Sequence, residues 1–86
     1  MIRSGSSLKA YVLINTKLGS EQEVTEALRG VKEITAVYSI YGVYDLIVEV
    51  EAETMDKVKE IVFNKIRSLD QVESTITLIT YGESTN

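Results

Sequence analysis

Two short stretches hold the residues with the most usable chemistry: Tyr41, Gly42, Val43, Tyr44 and Asp45 in one run, and Thr75 and Thr77 near the end of the chain. A glycine lets backbone amides approach an anion closely, and a carboxylate at Asp45 neutralises an ammonium group. Hydroxyls at Thr75 and Thr77 bond either end of a small zwitterion. Together the set suits a free amino acid. The same residues also have a purely architectural reading, with Gly42 making a turn, Asp45 bonding loop amides and the threonines favouring β structure. Spacing alone does not separate the two.

Other constellations point to less. Glu49, Glu51 and Glu53 alternate, but a strand rises about 3.3 Å per residue, which puts i and i+2 carboxylates roughly 6 to 7 Å apart on one face. With no aromatic cleft for a sugar they read as a solvated strand end, not an acid–base pair. Lys17, Gly19 and Ser20 lack the spaced glycines of a phosphate loop. The tyrosines lack the basic, aromatic pattern of an RNA-recognition strand, and a net charge of -4 argues against direct contact with nucleic acid. The chain contains no Cys and no His, so disulfides, thiolate chemistry and the commonest metal ligand and general base are missing. No catalytic residue, metal or cofactor is expected, and the chain is not read as an enzyme.

The elements that position these residues follow from composition and period. At 86 residues the chain is one domain, of a size that buries only about 60% of its unfolded surface, so partner subunits would add stability. Composition is 44% hydrophobic and 26% charged, and no run approaches the roughly 20 apolar residues of a membrane span. A soluble, cytoplasmic protein is expected. Residues 1–7 (MIRSGSS) have no apolar signal-peptide core and read as a disordered leader, and residues 83–86 as a flexible tail, leaving 8–82 as the folded domain.

Leu8 to Asn15 reads as a first strand. Ser20 and Glu23 form a capping box before a helix whose apolar stripe is Val24, Ala27, Leu28 and Val31. Ile34 to Ile40 and Tyr44 to Val50 read as a hairpin around Tyr41, Gly42 and Val43, where Gly42 supplies a positive φ. Thr54 caps a second helix with Val58, Ile61, Val62, Ile66 and Leu69 on one stripe. Val72 to Tyr81 alternates as a last strand, with Ile76 and Leu78 on one face and Thr75, Thr77 and Ile79 on the other. The order βαββαβ predicts a ferredoxin-like α+β fold: a four-stranded antiparallel sheet with both helices on one face.

That fold leaves one sheet face without helices, and the strand residues destined for it are not polar. Parity gives Ala10, Val12 and Ile14 against Tyr11 and Leu13, and Ala36, Tyr38 and Ile40 against Val37, Ser39 and Tyr41. An apolar face of this kind exceeds what monomers ordinarily expose. Pairing of two such faces about a twofold axis, giving a dimeric α/β sandwich, is expected.

Gly42-Val43-Tyr44-Asp45-Leu46, followed by a helix and by Val72, Thr75 and Thr77 in the pattern V-x-x-T-x-T, resembles the RAM domain, the amino-acid-sensing half of Lrp/AsnC transcription regulators. The resemblance runs from Leu8 to about Tyr81. The helix-turn-helix half that usually precedes this domain has no counterpart, so the chain looks like a stand-alone member. The resemblance implies sheet-to-sheet dimers, their assembly into octamers or decamers, and association with full-length relatives. It also implies a free amino acid as effector, bound between dimers at Tyr41, Gly42, Val43, Tyr44, Asp45, Thr75 and Thr77. An interaction module without a ligand is the alternative. The ACT domain shares the element order, but its acidic residue, Pro and Gly at the first strand–helix junction are not matched by Thr16 to Gly19.

Overall fold

Val12, Ile14, Val48 and Val50 are fully buried while their strand neighbours Leu13, Ile47 and Glu49 are only partly so. This two-residue alternation gives the central strands one covered face and one open face. The computed structural model describes residues 7–80. Residues 1–6 of the expected leader, residues 81 and 82 and the expected tail lie outside the described residues.

The elements are β1 (Leu8–Thr16), α1 (Glu21–Arg29), β2 (Ile34–Ser39), β3 (Leu46–Ala52), α2 (Met55–Ile61), a π-helical turn (Val62–Ile66) and β4 (Val72–Ile79). The sheet order is β2-β3-β1-β4, with every neighbouring pair antiparallel. This is the expected ferredoxin-like βαββαβ arrangement. Val24 and Leu28 of α1 share one buried cluster with Val58, Ile61, Val62 and Ile66 of the second helix and with the covered face of β1 and β3. Both helices therefore lie on the same side. Each fully buried aliphatic side chain contributes about 1.5–3 kcal/mol, so this layer supplies the main drive for folding.

Thr54 caps the second helix as expected, accepting from the Lys57 N–H at 3.1 Å. Ser20 does not cap the first. Its φ of -105° and ψ of 6° belong to a turn closed by its own N–H on the Lys17 carbonyl at 2.9 Å, and no side-chain cap bond forms. An N-cap ordinarily has the extended backbone that aims its hydroxyl at the helix amides. Ala27 is exposed, departing from the expected stripe. At about 100° per residue it falls roughly 60° to one side of Val24, while Leu28 falls about 40° to the other and carries the buried face that way.

The expected hairpin strands are too long. Ile40 donates its N–H to the Asp45 carbonyl at 3.0 Å, and Asp45 donates its own to the Ile14 carbonyl at 2.9 Å. The chain thus leaves β2 after Ser39 and joins β1 only from Asp45 onward, making Ile40 to Asp45 a loop. Gly42 has φ +142°, the positive value expected. In β2 simple alternation fails once: Ile34 stands opposite Val50 but Ala36 opposite Glu49, because a bulge intervenes. Ile34 therefore packs on the helix side while Ala36 and Tyr38 share the open face. The second helix, expected to run evenly, widens after Ile61, so that Arg67 donates to the Val62 carbonyl at 2.8 Å.

The open face carries Tyr11, Leu13, Tyr38, Ile47, Ile76 and Leu78 in adjacent register. Tyr38 is 57% exposed, Ile76 43% and Leu78 51%.

Candidate functional site

The antiparallel register brings the end of β2, the start of β3, the end of β1 and the start of β4 to one edge of the molecule. The Ile40–Asp45 loop and the β1–α1 turn lie there too. Tyr41, Gly42 and Asp45 border a shallow hollow of about 340 Å3, completed by Glu21, Ser39 and Ile40. Tyr41 and Val43 project outward, Val43 being 82% exposed. Val43 and Tyr44 belong to the loop but do not line the hollow.

Asp45 is half-buried, and its Oδ2 accepts from the Thr16 N–H at 2.9 Å and from the Thr16 hydroxyl at 3.4 Å. Thr16 is 7% exposed, so this carboxylate satisfies a buried amide at the end of β1. The loop is therefore tied to the neighbouring strand, and the hollow has a fixed wall.

Thr75 and Thr77 do not join this hollow. They line a separate groove, about 510 Å3, between β4 and the second helix, together with Lys59, Phe63 and Arg67. Leu46 and Thr75 both stand opposite Ile14, one on each side of β1. At about 4.8 Å per strand spacing, Thr75 lies roughly 10 Å from the start of β3. Within one chain the two halves of the sequence-derived set face different concavities.

Sequence reasoning missed Glu21, Lys59, Phe63 and Arg67. Phe63 and Arg67, four apart on a helix, were a readable signal for a paired aromatic and cation. Glu21, a first-turn acid, carried none beyond helix stabilisation.

Glu49, expected to be solvated, is instead engaged on the open sheet face. Its Oε1 accepts from the Thr35 hydroxyl at 2.7 Å and its Oε2 from the Tyr11 hydroxyl at 3.0 Å, with the Lys9 ammonium at 3.8 Å. The Thr35 bond, aided by Tyr11 and Lys9 and opposed by desolvation, holds the Glu49 carboxyl below its ordinary range. Donation to Glu49 raises the Tyr11 phenol. Glu51 and Glu53 are exposed, as expected. Among the described residues no group of three or more His, Cys, Asp or Glu is placed to hold a metal ion, and no helix is long and apolar enough to cross a membrane.

A family model described as the Lrp/AsnC ligand binding domain matches residues 9–85. The HTH-type transcriptional regulator FL11 of Pyrococcus horikoshii is 32% identical over 84 residues, which span 94% of this chain and 55% of the relative. The crystal structure of TTHA0845 from Thermus thermophilus superposes with a TM-score of 0.87 at 30% identity, covering 92% of this chain and 99% of that one. The transcriptional regulator NMB0573 of Neisseria meningitidis, solved as an L-Met complex, has a TM-score of 0.82 over 92% of this chain and 53% of that one; at 14% identity it shares the fold alone. The chain spans about half the length of the curated relatives it matches.

Proposed function

Because the chain belongs to the family of Lrp/AsnC ligand-binding domains, we propose that it is a regulatory domain in transcription control that responds to a free amino acid. The effector sits between copies, contacting Tyr41, Gly42, Val43, Tyr44 and Asp45 of one and Thr75 and Thr77 of another. The observation that carries this reading is the division of the site: the Gly42 loop and the two β4 threonines lie on opposite sides of β1 and open into separate hollows. A second copy would bring a loop against a groove. The relative solved with L-Met supports an amino acid as the ligand class.

Two copies pair through the open sheet faces, where Tyr38, Ile76 and Leu78 are half-exposed, and the dimers build octamers or decamers. Ligand binding and assembly at a shared seam alter each other by the same factor, and a coupling of about 1 to 3 kcal/mol suffices for regulation. The domain acts in the cytoplasm, in partnership with DNA-binding regulators of the family. It performs no catalysis of its own.

One observation favours a second reading, an assembly module that needs no effector: the Asp45 carboxylate already holds Thr16. Calorimetry with each of the twenty amino acids at millimolar concentration, paired with native mass spectrometry, separates the two. Saturable heat accompanied by a shift in assembly mass supports the sensor. No heat and an unchanged mass across all twenty abolishes it in favour of the module.

A further inference from the structure

In a chain of net charge -4, the described residues lining the groove between β4 and the second helix include no acidic side chain; Glu73 borders only the neighbouring hollow, which shares Arg67 and Thr75 with it. Two cations, Lys59 and Arg67, border the groove instead, and among the described residues neither belongs to an ion pair. The Arg67 guanidinium lies 5.9 Å from the centroid of the Phe63 ring. At that distance the ring's negative face attracts the cation, while the N–H edge of the guanidinium stays available for a two-pronged bond to a carboxylate. Phe63 is 64% exposed. Phe63 lies within the π-helical turn and Arg67 closes it, a distortion that recurs at functional sites.

We propose that this groove recognises the carboxylate of the effector, with Arg67 as its anchor, Lys59 reinforcing the positive field and Phe63 contacting the ligand's carbon skeleton. The hydroxyls of Thr75 and Thr77 complete the donor set. The hollow beside Gly42 has the opposite character, since Glu21 and Asp45 border it. A zwitterion between the loop of one copy and the groove of another thus meets an acidic wall at its ammonium end and a basic wall at its carboxylate end. Assignment of the groove to a carboxylate stands on its own charges; that the carboxylate belongs to an amino acid rests on the proposed function.

The test is calorimetry of the wild type and Arg67→Gln with the amino acid that gives the largest response and with its carboxamide. Arg67 is exposed, and circular dichroism checks that the variant keeps its fold. Loss of a charged hydrogen-bond partner lowers amino-acid affinity about tenfold or more in Arg67→Gln. The carboxamide binds the wild type more weakly by a similar factor and loses nothing further in the variant, because the group that Arg67 served is gone. Arg67→Lys, which keeps the charge without the planar fork, falls between. Equal amino-acid affinity in wild type and Arg67→Gln overturns the proposal, as does a carboxamide that suffers the full loss in the variant. Should the wild type bind no amino acid at all, the proposed function fails by itself, and an NMR titration with acetate decides the groove. Shifts centred on Phe63, Arg67, Thr75 and Thr77 then uphold a carboxylate site, and their absence removes it.

Discussion

The Asp45 carboxylate accepts a hydrogen bond from the Thr16 backbone N–H at 2.9 Å, joining the last residue of the β2–β3 loop to the last residue of β1. One side chain thereby has two duties under the proposed function, holding the loop and facing an ammonium group. These duties are separable because only one carboxylate oxygen is engaged in the Thr16 bonds.

Asp45→Ala removes both duties and Asp45→Asn only the charge. The alanine variant leaves the buried Thr16 amide without its partner and loses about 1–3 kcal/mol of stability in denaturant unfolding. The asparagine variant keeps an acceptor oxygen and stays close to the wild type in stability. Its amino-acid affinity falls by roughly 2 kcal/mol or more, since the ammonium loses its counter-charge. Calorimetry showing normal affinity in Asp45→Asn would reduce Asp45 to a loop anchor.

Gly42→Ala tests the loop backbone. Among the described residues a Cβ at this position would meet nothing within 4 Å, so crowding is not the difficulty; φ of +142° is, because side chains larger than hydrogen rarely adopt it. The variant loses about 1–3 kcal/mol in stability, or its loop relaxes to another shape and effector affinity falls. Unfolding curves read beside binding isotherms distinguish these results, and an alanine variant unchanged in both would mean the conformation is not needed.

Leu78→Glu tests the open face. Leu78 is 51% exposed and stands outside the buried cluster, so the substitution leaves the monomer folded. Facing a second copy, it would bring an unpaired charge into an apolar interface, and dimers would give way to monomers in sedimentation analysis. A variant that sediments as the wild type does would show that this face is not the seam.

Glu49 supplies a pH dependence. Its folded-state carboxyl titrates below the ordinary value of 4.5, chiefly because Thr35 donates to the charged form. Depression of a folded pKa means that the contribution is present above the unfolded value and is lost as pH falls through the folded one. Stability of the wild type therefore declines below about pH 4.5, and Glu49→Gln, which has nothing to protonate there, declines less steeply. Denaturant midpoints between pH 3 and 7, a range of ~4 units around that titration, would show two parallel curves if Glu49 were uninvolved.

How far the site was readable follows the range of the interactions. Gly42 stood out because its need for a positive φ is local, and Thr75 and Thr77 because alternation assigns their face. The role of Glu49 was not readable, since Tyr11 and Thr35 reach it only across strand pairings of β1 and β2 with β3. The spacing of Phe63 and Arg67 is legible as a helical pair, but the groove that β4 closes beside them and the π-helical turn that Arg67 ends are not.

By itself the sequence determined which segments are helix or strand, their order, and which side chains along a strand share a face, because periods of 2.0 and 3.6 residues need no knowledge of distant neighbours. Only the tertiary structure decided that β1 separates the Gly42 loop from the last-strand threonines, that a bulge reverses the parity of β2, and that Asp45 answers an amide on Thr16. The reason is physical: strand order and register are global choices, made by closing one apolar layer against two helices, and every contact across strands inherits them.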